Sequence, residues 1–256
     1  MRLTARIREW RLLAAAVIAV GAPQAQAQDV IWSRTLEANA NLLFGAAEGR
    51  VGALIAEANR ADSALDLRAE LRFSYADAPD GDGNVSVTAR SSRLSLGIDH
   101  RPFGQFSPFA FGTAESSLQQ RIDSRYALGA GAKLLLVPPG DNETSISLAL
   151  LWEQTRARDP EPDVDPATTL ARWSLRFRAN RRLTSNVTMS HQTVWQPATS
   201  DLGIYTTETS TGLSVALNSS LSLTVTLRDK YDSEAIVRGA DSNHDGQLLF
   251  GVRAKF

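Results

Sequence analysis

Asp241, Asn243 and Asp245 stand at alternate positions and are followed by Gly246, the pattern of the first half of a calcium-binding loop. Oxygen donors two residues apart and a glycine at the sharp turn are what such a loop uses. The twelfth position, where a bidentate Glu would close the site, is Val252. The segment is therefore expected to be a polar loop entering a strand, with no dedicated metal site and at most a weak divalent-cation contact. Ser190 and His191 are a nucleophile and a base by type, and invite comparison with lipid hydrolysis on an outer wall. Adjacent side chains of a strand point to opposite faces, so the two cannot form a dyad. Of the other two histidines, His244 belongs to the Asp241–Gly246 loop, and His100 sits beside Pro102 and is expected in an exposed turn. With no cysteine and three histidines, disulfide scaffolds, thiolate metal sites and cysteine catalysis are excluded. No catalytic residue and no cofactor are expected.

The other chemically active set is ionic. Asp66, Arg68, Glu70, Arg72, Lys133, Arg172, Arg176, Arg178, Arg228, Arg253 and Lys255 all fall on the polar positions of alternating segments. Arginine dominates near Arg172 and Arg253. If this face lines a lumen, it supports either of two outcomes: a pore that favours anions, or a ladder of ion pairs that seals the interior. A net charge of −1 over 256 residues lacks the basic excess that nucleic-acid binding needs.

What positions these charges is a period of two. Leu65, Leu67, Ala69, Leu71, Phe73 and Tyr75 alternate with Asp66, Arg68, Glu70, Arg72 and Ser74. A helix would place Leu65 and Asp66 only about 100° apart and mix the two sets, whereas a strand separates them cleanly. The same alternation runs through Leu36–Phe44, Leu128–Leu136, Ile146–Trp152, Trp173–Phe177, Leu213–Leu217 and Leu221–Leu227. Less regular runs lie at 51–59, 85–98, 109–115 and 187–195. The parity of apolar positions switches after Ala89, which predicts a bulge near Ser91.

The pattern predicts an all-β chain of about 12 strands (range 10–14), folded as an up-and-down antiparallel transmembrane β-barrel. Strands of roughly ten residues or more suit a tilted membrane span better than a soluble sandwich. A polar face of mixed charge, Gly, Ser and Thr suits a lumen. Long connections at 77–84, 156–168 and 229–245 fall on one side, and short ones at 59–63, 180–185 and 218–220 on the other. Trp32, Phe44, Tyr75, Trp152, Trp173 and Trp195 lie near strand ends, where aromatic girdles form.

The ends of the chain carry addresses. Residues 1–27 read as a cleavable signal: Arg2, Arg6, Arg8 and Arg11 precede an apolar run from Leu12 to Ala22, then Pro23 and the small-x-small site Ala25-Gln26-Ala27. Residues 28–256 then form a single barrel domain. Leu248, Phe250, Val252, Ala254 and Phe256 alternate to a terminal aromatic, similar to the β-signal by which the barrel assembly machinery recognises outer-membrane proteins. The expected location is the outer membrane of a Gram-negative cell, with membrane lipid and lipopolysaccharide as surroundings.

Two segments carry a family resemblance. D-K-Y-D-S-E-A, centred on Tyr231, and the following D-G-Q-L-L-F-G from Asp245 resemble the tail of the salt-induced (YdiY-like) outer-membrane protein family, a domain of unknown function. Leu128-Gly129-Ala130-Gly131 is similar to that family's mid-chain L-G-x-G strand. The resemblance spans roughly residues 32–256. It implies an outer-membrane location and a link to osmotic stress, and it brings no catalytic residues. The leading expectation is a non-enzymatic barrel of this type, a small channel or an envelope component. The alternatives are a solute-selective pore and, with less support, a lipid-modifying enzyme.

Overall fold

The computed structural model describes residues 32–43, 49–79, 84–138, 140–160 and 166–256. The signal segment 1–27, Phe44 and parts of the connections at 77–84 and 156–168 lie outside the described residues. The strands are β1 (Trp32–Leu43), β2 (Gly49–Ala61), β3 (Leu65–Pro79), β4 (Val85–His100), β5 (Phe106–Ser117) and β6 (Ile122–Val137). They continue with β7 (Asn142–Ala157), β8 (Ala167–Arg182), β9 (Val187–Pro197), β10 (Tyr205–Ala216), β11 (Leu221–Asp232) and β12 (His244–Lys255). Each strand pairs antiparallel with its sequence neighbours, and β1 pairs with β12, so the sheet is a closed barrel. Closure removes the unpaired sheet edges that a membrane interior cannot satisfy.

The seam is the shortest ladder. β1 and β12 share five register pairs, Thr35↔Lys255 to Asn39↔Gly251, against twelve between β1 and β2. Reciprocal backbone bonds of 3.1 Å between Arg34 and Phe256 extend the seam to the last residue. The alternating apolar rows face outward. Leu94, Leu96 and Ile98 on β4, Leu148 and Leu150 on β7, and Leu223, Val225 and Leu227 on β11 are all exposed. Such a continuous apolar wall is what acyl chains cover. Trp152, Trp173 and Trp195 point outward near the ends of β7, β8 and β9 that enter the longer connections.

The bulge predicted near Ser91 sits three residues earlier. Ala76 pairs with Ala89 but Asp77 pairs with Val87, so Thr88 is the extra residue. The parity switch locates the bulge only to within the residues on either side of it, because small side chains such as Ala89 fit either face.

The short turns share one device. Asp62 Oδ1 accepts the N–H groups of Ala64 and Leu65, both at 2.8 Å, and Asn218 Oδ1 accepts those of Ser220 and Leu221, both at 2.9 Å. Thr184 Oγ1 does the same for Asn186 and Val187. These side chains supply acceptors that the turn backbone lacks. The Leu65 N–H first, and the Ala64 N–H next, hold the Asp62 carboxyl below the usual carboxylate range. Because the folded value is the lower one, this stabilisation is complete above the unfolded value of about 3.9 and is lost as pH falls through the folded value. Asp62→Asn, the residue type found at 218, is expected to keep the turn and remove its share of acid sensitivity. Unfolding curves of both proteins between about pH 5 and about pH 2 check this.

Candidate functional site

Alternation turns every second residue of each strand into the lumen, and there the charges meet. Glu208 on β10 accepts from Arg93 Nη1 on β4 at 2.6 Å and from Arg72 Nη1 on β3 at 3.3 Å. β4 and β10 are six strands apart in either direction round the ring, so the Arg93–Glu208 pair joins opposite walls. Lys230 on β11 donates to Glu115 on β5 at 2.5 Å, again across six strands. Arg125 on β6 donates to Asp232 at the end of β11 at 2.7 Å, and lies 3.4 Å from Glu115 and 3.8 Å from Glu153. Glu153 accepts from Arg172 Nε at 3.0 Å. Arg172 is 2% exposed and also donates to the backbone carbonyls of Gln196 and Ile204. Asp232 closes the chain of pairs by accepting from Arg238 Nη2 at 2.6 Å, which ties the 233–243 connection to the lumen wall. One continuous ionic network therefore runs from Glu70 and Arg72, through the lumen, to that connection.

Low dielectric strengthens each of these pairs, and it makes any charge left without a partner expensive. The network satisfies most of its members several times over. At the opposite end of the lumen a second group forms. Arg68 donates to Asp66 and Asp99, and Lys133 to Asp99 at 2.7 Å. Across the seam, Arg253 donates to Glu37 at 2.7 Å, and Glu37 also accepts from Thr224 on β11 at 3.1 Å.

Arg176 and Arg178 on β8 differ from the rest. Neither has a carboxylate within 4 Å among the described residues. Arg178 gives Nε and Nη2 to the neutral Gln192 amide oxygen. Arg176 lies 5.8 Å from the centre of the Phe111 ring, a cation–π distance, and its Nε is buried with no hydrogen-bond partner among the described residues. Arg228 on β11 likewise has a buried Nε without a partner.

The structure separates several sequence candidates. Ser190 turns into the lumen, its Oγ about 3.0 Å from where a Cβ on Gly212 would stand. His191 turns outward against the Phe177 ring. The two cannot act together. His191 instead joins an outer-wall hydroxyl row: Nδ1 to Thr211 at 2.9 Å, Nε2 to Thr193 at 3.1 Å, and Thr193 to Thr209 at 3.3 Å. Pairing these groups with one another satisfies them where water is excluded. The Asp241–Asp245 candidates also diverge. Asn243 Oδ1 accepts from the Ile236 N–H at 3.0 Å, Asp245 is a lumenal strand residue hydrogen-bonded to Gln247, and Asp241 is exposed. No group of three acidic or histidine side chains among the described residues could hold a metal ion. Of the terminal row, Leu248, Phe250, Val252 and Phe256 are exposed on the outer wall, with Ala254 between them. Lys255 is exposed at the barrel rim.

Sequence reasoning missed Arg93, Glu115, Arg125, Glu208, Lys230 and Asp232, which carry the cross-lumen pairs, and Glu153, which links Arg125 to Arg172 along one wall. Strand parity would have put Glu153 with Ser145 and Ser147 on the lumenal face, but nothing local tells which wall a lumenal side chain will meet.

A closed, up-and-down antiparallel barrel with an apolar outer wall and a charged interior is an outer-membrane β-barrel of porin-like architecture. Over residues 51–256 the chain matches the family described as "Protein of unknown function, DUF481", and it belongs to that family. No curated protein matches it. Among solved structures it is similar to the NanC porin, at 10% identity and a TM-score of 0.53, covering 88% of this chain and 100% of that one. The KdgM porin gives 12% identity and a TM-score of 0.46, covering 88% and 99%. The translocator domain of autotransporter NalP from Neisseria meningitidis gives 12% and 0.42, covering 99% and 96%. These likenesses concern the fold.

Proposed function

We propose that this protein is a non-enzymatic barrel of the Gram-negative outer membrane that acts as a narrow solute conduit, held constricted by its cross-lumen ion pairs. Export would follow cleavage after Ala27, with the short turns and both chain ends on the periplasmic side. Lipid and lipopolysaccharide would surround the outer wall, and the row Leu248, Phe250, Val252, Ala254 and Phe256 would serve recognition by the assembly machinery. The observation that carries the reading is the pair of diametric contacts, Arg93–Glu208 and Lys230–Glu115. Twelve strands enclose a lumen wider than a filled eight-stranded barrel and narrower than an open sixteen-stranded porin. Side chains alone can bridge such a lumen, so breaking the bridges opens it. The resemblance to salt-induced proteins supports the same reading, because ion pairs reached by solvent weaken as the screening length falls from about 10 Å at 0.1 M to about 3 Å at 1 M salt.

The test is planar-bilayer conductance of the refolded barrel at two salt concentrations, for the wild type and for Glu208→Gln. The wild type is expected to give small, infrequent steps that grow more than bulk conductivity as salt rises. Glu208→Gln releases Arg72 and Arg93 from their shared partner and is expected to raise single-channel conductance severalfold. Silence of both the wild type and a correctly folded Glu208→Gln barrel would sink the conduit reading and leave a sealed envelope component.

A further inference from the structure

We propose that Arg176 and Arg178 form a binding site for a small dianionic solute whose charge is carried on oxygen, such as a dicarboxylate or a phosphate. The inference deepens the conduit reading by naming the chemistry of its solute. The cavity that contains both residues has a volume of about 200 Å³ and is lined by seven basic and five acidic side chains. The other five bases are all committed: Arg68 to Asp66 and Asp99, Arg72 and Arg93 to Glu208, and Arg125 and Lys230 to Glu115. Arg176 and Arg178 are the two bases of this lining with no carboxylate within 4 Å among the described residues.

Their placement is costly without an occupant. They stand at alternate positions of one strand, so their backbones are about 6.6 Å apart and both side chains enter the same cavity. Two half-buried like charges held that close, with no carboxylate within 4 Å among the described residues, repel each other and lose part of their hydration. Their direct contacts order them rather than pair them with a carboxylate. The Gln192 oxygen fixes Arg178 through two donors, and the Phe111 ring lies beside Arg176. The Arg176 Nε remains a buried donor with nothing to donate to. A guanidinium fork matches the two oxygens of a carboxylate or phosphate, and two forks side by side match a dianion. The cavity is smaller than the roughly 300–1,000 Å³ of pockets for drug-sized ligands. That size selects a small acid over an oligomer.

Calorimetric titration of the refolded full barrel in a neutral detergent tests this directly, with sodium succinate, inorganic phosphate and sodium acetate as probes. Saturable one-to-one binding is expected for succinate, for phosphate or for both, with acetate at least about tenfold weaker. Preference between the first two identifies the carboxylate or the phosphate source. Arg176→Gln and Arg178→Gln are each expected to weaken the preferred probe at least about tenfold. Arg50→Gln, at the exposed rim beside Asp77, is expected to leave it unchanged. Removing a half-buried charge that has no carboxylate partner should not harm the fold, and a gel shift between boiled and unboiled samples verifies each variant. Absence of saturable binding, or binding that survives both substitutions in folded barrels, overturns the site. Binding by a barrel that does not conduct would uphold the site and remove the conduit, whereas conductance without binding would do the reverse.

Discussion

Asp232→Ala is expected to cost roughly 3–5 kcal/mol of barrel stability, the range for removing one partner from a buried ion pair. Asp232 is fully buried and holds three donors: Arg125 Nη2 at 2.7 Å, Arg238 Nη2 at 2.6 Å and the Glu234 N–H at 3.0 Å. Alanine removes the acceptors and leaves two guanidinium groups behind. Arg125 keeps Glu115 and Glu153 at 3.4 and 3.8 Å, so its loss is partial. Among the described residues, the Arg238 side chain keeps only the Gln120 carbonyl at 3.3 Å. Since Arg238 is what ties the 233–243 connection to the wall, the variant should also expose that connection to protease. Asp232→Asn preserves the shape and part of the hydrogen bonding, and is expected to fall between wild type and alanine. Urea unfolding of the refolded barrels, together with limited proteolysis, reads both effects. An alanine variant within 1 kcal/mol of wild type, with an unchanged cleavage pattern, would mean that the network is not what holds this end closed.

How much of this could be read from the sequence depended on the outer wall. Where lipid-facing positions are apolar, as in Leu65–Tyr75 or Ile146–Trp152, period two assigns every side chain to a face, and the twelve strands follow. β10 defeats the method. Its outward positions near one end are Thr207, Thr209 and Thr211, so Tyr205–Gly212 is polar on both faces and shows no alternation. Glu208, the acid that joins opposite walls, was hidden for that reason. The threonines are tolerated outside because they bond to each other and to His191, a fact of strand register rather than of composition. Arg93 was obscured differently, by the bulge at Thr88 that reverses the parity of its own strand. The lumenal charges on regular strands, Arg68 to Arg72 and Arg172 to Arg178, were visible as a face. The cross-lumen partner of Arg72, Glu208, was not, because a partner on the far wall is set by closure of the ring.

The glycines of β6 show how the wall itself shapes the site. Gly129 and Gly131 face the lumen with almost no room. A Cβ on Gly129 would stand 2.7 Å from two ring carbons of Phe111 and 2.9 Å from the Leu151 Cβ. A Cβ on Gly131 would meet the backbone carbonyl of Leu148 and lie 2.6 Å from the Ala149 Cα. Overpacking of this kind costs about 1–3 kcal/mol, according to how far the neighbours can give way. The obstacles differ: at Gly129 it is largely a side chain, at Gly131 it is strand β7 itself. Gly131→Ala is therefore expected near the upper end of that range and Gly129→Ala near the lower. Phe111→Leu should rescue Gly129→Ala and leave Gly131→Ala unrelieved, which unfolding of the two double variants would show. Equal rescue of both would mean that Phe111 is not what occupies the space above Gly129. The consequence reaches the chemistry, since Phe111 is the ring beside Arg176. Displacing it by Gly129→Ala should loosen anion binding in the lumen even though no charge has changed.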